Sequence, residues 1–439
     1  MHEVINFFHF KSYINLGNKF FLLGTFFLPS ALPISAIFFI FSLIISYSNK
    51  NFITFKDKWN IPLFISLGLI IFSTFNISVL RKTELLSQYN YSYIWINLFN
   101  WIPIFFYFWG FQLYLKNYDQ RINFVKFLFS GTMPVIFSMI LQKFFKIYGP
   151  FETFFGLIVW FQKPLKNNAV TGLFSNPNYT AIFLAMVLPF VFFLFKNIKK
   201  LNLKKYFLLI IFILYLYFVF LTQSRNGLLG VLLTFLFVFR FKRFSVSILS
   251  SLSFAFSGIL LFIASNYDKF NFYFPNNLFN RLFEFDVSKL YRPIIWESTI
   301  LRIQERPMFG WGGSTFSFLH EKYENMISVK GQFISAYHSH NMFLELSHNF
   351  GLPLSILLCI TIFLFVFKAW YLIYIKDYPL KKSLIDKSWL VSIVIFLVMQ
   401  MTDITFYDGK ISILVCILFA GLRNIIRDIN IKITNLKIN

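Results

Sequence analysis

Three short polar runs interrupt an otherwise apolar chain, and they hold the residues able to do chemistry. The richest is Tyr337-His338-Ser339-His340-Asn341, followed by Glu345, His348-Asn349 and Gly351. A neutral imidazole titrates near pH 6.5 and can take a hydroxyl proton. His340 is therefore the candidate general base, with His338 and Asn341 in support. A zinc site could use His-x-His with a third histidine or a carboxylate. His340 and His348, however, stand eight positions apart, about 12 Å along a helix, and no metal or other cofactor is expected.

The second run is Gln223-Ser224-Arg225-Asn226-Gly227. An arginine at a membrane boundary is costly unless it snorkels or has a partner. The alternative is anion binding, in which a guanidinium forks onto two phosphate oxygens beside free turn amides. The third run is Gly172-Leu-Phe-Ser175-Asn176-Pro177-Asn178. Its plain reading is helix capping; its functional reading puts Asn176 and Asn178 against a sugar or phosphate. Arg292 adds a fourth element. It opens a stretch that reads as a helix from Pro293 to Arg306, where helix dipole and guanidinium would act together on an anion. Trp296, Ile300 and Ile303 share a face there, which sets this helix against the outer membrane interface with Trp296 buried. Arg281, Arg302 and Arg306 read mainly as solvated or paired with Glu297, Glu305 or Glu321, Arg302 being kept as a supporting residue.

The elements that must position these groups are membrane helices. Of 439 residues, 57% are hydrophobic and only 13% charged, whereas a soluble domain spends about a quarter of its residues on charge. The mean hydropathy of +0.64 leaves no polar, basic domain to bind nucleic acid despite a net charge of +23. Apolar runs long enough to cross about 30 Å of hydrocarbon number about twelve. The run from Phe20 to Tyr47 reads as two short helices meeting at Pro29-Ser30. The others are Ile61–Leu80, Ile94–Leu115, Phe124–Gln142, Tyr179–Phe195, Tyr206–Thr222, Gly227–Phe239, Val246–Ser265, Phe350–Ile375, Ser388–Thr402 and Ile411–Leu422.

Lys and Arg mark the cytoplasmic side of such a chain. With both termini inside, the inner segments collect 25 of the 41 basic residues but only 6 of the 18 acidic ones. All three polar runs then face outward. So does one long loop, residues 266–341, which contains the Arg292 helix and a Gly-Trp-Gly-Gly turn. A structureless loop of this length is uncommon unless functional. No cleavable signal peptide is evident, and Cys359 and Cys416 lie in apolar runs and form no disulfide framework. The chain reads as one polytopic membrane domain, 1–439.

The polar runs resemble the O-antigen ligase and O-antigen polymerase superfamily of bacterial membrane glycosyltransferases. The family hallmark is a histidine with a small polar residue, nine variable positions and glycine-x-x-glycine. His340-Asn341, residues 342–350 and Gly351-Leu-Pro-Leu354 follow it, with Leu354 in place of the closing glycine. Ser224-Arg-x-Gly227, Arg292-x-x-x-Trp296, Pro307-x-x-Gly-Trp-Gly312 and Asn176-Pro-Asn178 look like family features in the right order, so the resemblance covers about 170–365. It implies a GT-C-like, all-α integral membrane protein of the bacterial cytoplasmic membrane that works without metal at the outer, periplasmic face. The implied donor is a glycan on undecaprenyl diphosphate; the implied acceptor is lipid A core for a ligase or a lipid-linked oligosaccharide for a polymerase. Carried onto this chain, Arg225 and Arg292 bind the diphosphate and His340 deprotonates the attacking hydroxyl. A flippase of the same lipids is a rival, though transporters tend to keep polar groups near the midplane. A scaffolding subunit is a third reading.

Overall fold

Within hydrocarbon a helix satisfies its backbone inside one segment, and the apolar runs fold accordingly. The computed structural model describes residues 2–48, 57–164, 169–198, 202–238, 292–324, 336–375 and 380–438. In chain order the helices are α1 (His2–Phe27), α2 (Leu32–Tyr47), α3 (Asn60–Phe75), α4 (Ser92–Asn97), α5 (Ile102–Phe111), α6 (Tyr118–Phe144) and α7 (Pro177–Asn197). They continue with α8 (Leu203–Leu221), α9 (Arg225–Val238), α10 (Arg292–Glu305), α11 (Phe316–Glu324), α12 (Met342–Phe350), α13 (Leu352–Trp370), α14 (Leu380–Met399) and α15 (Gly409–Ile438). One hairpin, β1 (Phe151–Thr153) with β2 (Ile158–Trp160), departs from an all-α chain.

Among the described residues, seven helical stretches are long and apolar enough to cross a membrane: Asn60–Leu80, Ser92–Leu115, Tyr118–Phe144, Pro177–Asn197, Leu203–Leu221, Leu352–Tyr374 and Gly409–Ile431. Leu32–Tyr47 and Arg225–Leu236 are shorter apolar helices. The expected span Val246–Ser265, Arg281, and parts of the long loop lie outside the described residues. The Pro29-Ser30 turn falls between α1 and α2 as expected, but α1 starts at His2 and is a long helix of 26 residues rather than a short one.

Helices α7 and α15, with most of the described part of α14, lie in the interior. The most apolar windows of α7 and α15 are each 78% buried, against 28% for α8. Helix α7 packs on α14, α9 and α8, while α15 packs on α5 and α14. Small residues set the closest approach. A Cβ on Gly227 would lie 2.6 Å from the Ala181 Cβ, and one on Gly230 2.7 Å from the Ala185 Cβ. Glycine at both positions lets the backbones of α9 and α7 touch, which brings the start of α9 beside the start of α7. Ser392 Oγ donates to Met186 O at 2.7 Å and Trp389 Nε1 to Leu418 O at 2.7 Å, tying α14 to α7 and α15.

The two ends of the bundle differ. At one, Arg423 Nη2 meets Asp57 Oδ2 at 2.6 Å and Arg121 Nη2 meets Asp428 Oδ2 at 2.9 Å. The three polar runs named above meet at the other.

Candidate active site

The polar end is built on the loop 336–341, which Asn341 turns into α12. As N-cap, Asn341 Oδ1 accepts from Phe343 N at 3.0 Å and Leu344 N at 3.2 Å, satisfying amides the helix leaves open. Its Nδ2 donates to Met401 O at 3.0 Å, and Met342 N donates to Gln400 O at 2.9 Å. The loop is thereby fastened to the segment after α14. His340, between these bonds, adopts φ +53°, a left-handed conformation that histidine tolerates better than most side chains and that is common at functional sites.

That conformation aims the ring at Asp403. His340 Nδ1 lies 3.1 Å from Asp403 Oδ1. Asn178 Nδ2 donates to Asp403 Oδ2 at 3.2 Å, and Ile404 N donates to Oδ1 at 2.9 Å. Burial alone would raise this carboxyl. The His340 hydrogen bond and charge, the Arg292 guanidinium and the Ile404 amide outweigh it and hold Asp403 below its ordinary value. Asp403 is thus an acceptor at neutral pH, and a hydrogen bond donated to it by His340 Nδ1 selects the tautomer with its lone pair on Nε2. Next to it, Thr402 Oγ1 donates to Asn226 Oδ1 at 3.1 Å. Segments that start α7, α9 and α12 therefore converge on the turn following α14, within reach of the Arg292 charge at the start of α10.

His338 belongs to a second network. Its Nδ1 is 3.6 Å from Glu345 Oε1, and its ring stacks on Tyr407 at 4.5 Å. Glu345 is buried and accepts from Ser339 N at 3.0 Å, Tyr407 Oη at 2.8 Å and Asn349 Nδ2 at 3.3 Å. Burial would raise its carboxyl, but the His338 contact and the Ser339 amide prevail and hold it at about 2. Glu345 is an ionised post beneath the His340 loop.

A third network docks α10. Trp311 Nε1 donates to Arg302 O at 2.8 Å, Arg302 Nη1 pairs with Glu305 at 2.9 Å, and Ser298 Oγ lies 3.2 Å from His320 Nδ1. His348 is fully buried beside them, 3.1 Å from Asn349 Oδ1, and burial pushes its imidazole below its ordinary value. The turn 307–312 joins in through backbone contact: Trp311 N donates to His348 O at 2.7 Å, Gly312 N to Asn349 O at 2.9 Å and Leu352 N to Pro307 O at 2.7 Å. Gly351 permits this approach. Its φ is +94°, and any Cβ there would strike the Met308 carbonyl. Leu354, where the hallmark has a second glycine, is buried in the core.

Of the residues named from sequence, His340 and Asn178 meet at Asp403, the charge of Arg292 acts on that carboxylate without a hydrogen bond or ion pair to it, and Asn341 fastens the loop that carries His340. Asn176 is a helix cap, accepting from Asn178 N at 2.8 Å. Arg225 sits exposed at the start of α9, one residue from the Asn226–Thr402 bond. His338 and Arg302 serve the other networks. The expected face of α10 is corrected. Its buried side chains are Ile295, Ser298, Thr299, Arg302 and Ile303. Ile300 is 45% exposed and Trp296 only half-buried. Apolar periodicity failed here because this helix buries polar groups against His320 and His348. Asp403 escaped the sequence reading altogether. The signal was present: a carboxylate directly at the mouth of a span, on the side where the histidines and arginines gather. Among the described residues no group of three His, Cys, Asp or Glu side chains is placed to hold a metal ion.

Fold and site together define a mostly helical membrane protein with a polar, His-Asp-bearing end. Residues 210–359, about a third of the chain, match the family model described as O-antigen ligase. Over that stretch the chain is similar to the O-antigen ligase and O-antigen polymerase superfamily, as its motifs indicated; the Asn176-Pro-Asn178 run and Asp403 lie outside it. A comparison with curated proteins returns no match.

Proposed function

We propose that the protein joins a glycan carried on undecaprenyl diphosphate to an acceptor hydroxyl at the outer face of the bacterial cytoplasmic membrane. The observation that carries this reading is the His340–Asp403 pair, 3.1 Å apart, within a chain whose 210–359 stretch matches the O-antigen ligase model. The acceptor oxygen attacks the anomeric carbon, the bond from that carbon to the phosphate oxygen breaks, and the diphosphate leaves with the bonding pair. The hydroxyl proton passes to His340 Nε2, and Asp403 stabilises the imidazolium that results. Arg292 and Arg225 offset the charge on the departing diphosphate, a task that arginine performs without a metal. The donor supplies its own activation, which suits a face with no ATP.

Both termini are assigned to the cytoplasm, and the whole chain, with its 266–341 outer loop and 170–365 core, to one membrane domain. Asn341 and Asn178 hold the pair in place; His338, Arg302, Trp296 and Asn176 support the surrounding loops. The acceptor is lipid A core in a ligase and a second lipid-linked oligosaccharide in a polymerase. Substituting His340 or Arg292 by Ala and running surface polysaccharide on a gel tests the mechanism. Unchanged banding, with both variants correctly inserted, refutes it. Supplying the purified protein with labelled donor and one acceptor at a time separates ligase from polymerase, and movement of donor between leaflets without joining would instead mark a flippase.

A further inference from the structure

The hairpin between α6 and α7 has no part in the networks above, and its composition is unusual for a turn. Strand pairing runs Phe151 to Trp160, Glu152 to Val159 and Thr153 to Ile158, leaving Phe154-Phe155-Gly156-Leu157 at the tip. Water-exposed turns favour Gly, Asn, Asp, Ser and Pro; this one holds three large apolar side chains. Phe154, Phe155 and Gly156 all have positive φ, at +53°, +56° and +82°. Bulky residues rarely accept that conformation, and here it turns both rings outward, Phe154 being 69% exposed and Phe155 fully so.

The base of the hairpin, by contrast, is fixed. Gly149 N donates to Gln162 O at 2.8 Å, Gln162 N to Gly172 O at 3.0 Å, and Ser138 Oγ to Gln162 Oε1 at 2.9 Å. Trp160 Nε1 donates to Thr153 Oγ1 at 3.0 Å and stiffens the ribbon. The hairpin is therefore a rigid arm clamped to the last turns of α6 and to the segment leading into Asn176. Its apolar surface is continuous with a span. Phe137, Phe144, Phe145 and Ile147 are exposed along the end of α6 and beyond it, and Phe151 carries that surface to the tip. Lys146 and Lys163 are exposed at the base, where cations meet anionic headgroups.

We propose that residues 151–160 form an interfacial anchor, with Phe154, Phe155 and Leu157 inserted in the lipid surface at the site end of the bundle and Lys146 and Lys163 among its phosphates. Glu152 and Thr153 stay at headgroup level. Because the arm is tied to Gly172, it sets the depth at which the segment before Asn178, and with it Asp403, sits relative to the lipid phosphates. The anchor itself stands on membrane insertion alone and does not depend on the transferase reading.

The test uses the full chain in vesicles of phosphatidylethanolamine and phosphatidylglycerol. On a background with Cys359→Ser and Cys416→Ala, spin labels are attached at Phe155→Cys, Leu157→Cys or Lys163→Cys. Collision with oxygen relative to a water-soluble nickel chelate should be several-fold higher at 155 and 157 than at 163. Free access of the nickel chelate at 155 puts the tip in water and overturns the proposal. Low access of both probes puts it against protein, from this or another chain, and overturns it as well. Hydroxyl-radical footprinting of the unsubstituted protein gives the same answer without cysteine changes: Phe154 and Phe155 should be protected several-fold relative to Tyr337, and equal oxidation overturns the anchor.

Discussion

Replacing Asp403 by Asn keeps the shape of the side chain and removes the charge that, in the proposed mechanism, faces the His340 imidazolium. At the observed 3.1 Å, opposite unit charges attract by about 5 kcal/mol at an effective dielectric of 20. The His340 side chain is 34% exposed, so solvent screening roughly halves this, leaving about 2–3 kcal/mol on the transition state. That is about a hundredfold in rate. The assay is single-turnover joining of labelled lipid-linked glycan by the purified protein in nanodiscs, with insertion checked by size exclusion. The loss should fall on the rate of joining far more than on donor affinity, because Arg292 remains. His340→Ala removes the base itself, so adding Asp403→Asn to it should cost little more. A drop below about threefold for Asp403→Asn, or losses that multiply in the double variant, would show that the two residues do not act as a pair.

Glu345→Gln should lower the unfolding temperature at pH 7 by removing about 3 kcal/mol of stability. The Glu345 carboxyl is depressed to about 2 from an ordinary 4.5, so its contribution is complete above about pH 4.5 and lost as pH falls towards 2; the gap between variant and parent must close over that window. Gly351→Ala should cost at least about 1–3 kcal/mol from its left-handed φ alone, more with the Met308 carbonyl in the way, and is read by unfolding temperature and by the amount of folded protein. Arg292→Ala should weaken donor binding with little change in stability, whereas Arg302→Ala, beneath Trp311, should destabilise the fold and leave joining per folded molecule nearly intact. If arginines offset the diphosphate charge as proposed, joining should persist in EDTA.

The helices were legible because membrane burial writes itself as long apolar runs, and the polar runs were legible because they break them. His340 and Arg292 stood out by residue type, and the structure pairs His340 with Asp403 while the Arg292 charge acts on the same carboxylate. What the sequence hid was pairing across the chain. Asn178, His340 and Asp403 are separated by more than sixty residues at each step, and no local pattern links them. The face of α10 was misread for a related reason. Amphipathic counting assumes that polar residues point to water, yet Ser298, Thr299 and Arg302 are buried because polar partners await them. Leu354 shows the reverse case. The hallmark has glycine there, but in this chain the close approach to the Met308 carbonyl falls at Gly351, while position 354 is buried in apolar core, where a leucine packs.

The match ends at residue 359, yet the ring of His340 is held by a carboxylate at 403, whose other oxygen is held by an amide at 178. Those two residues flank the matched stretch on either side, so that stretch alone leaves His340 without its carboxylate partner. The helices that complete it lie deep in the bundle. Asn178 rides at the start of α7, and Asp403 lies in the turn joining α14 to α15; α7 and α15 have little surface left for lipid, and α14 is bonded to both through Ser392 and Trp389. A helix enclosed on all sides can hold a residue at its end to hydrogen-bond distance, because packing fixes both its tilt and its rotation. Helix α8, largely lipid-facing, contributes no residue to the pair. Substituting Ser392 by Leu, a change well inside the bundle, should therefore reduce joining by displacing α14 against α7, while a comparable change on the exposed face of α8, such as Ile210→Val, should leave it unchanged.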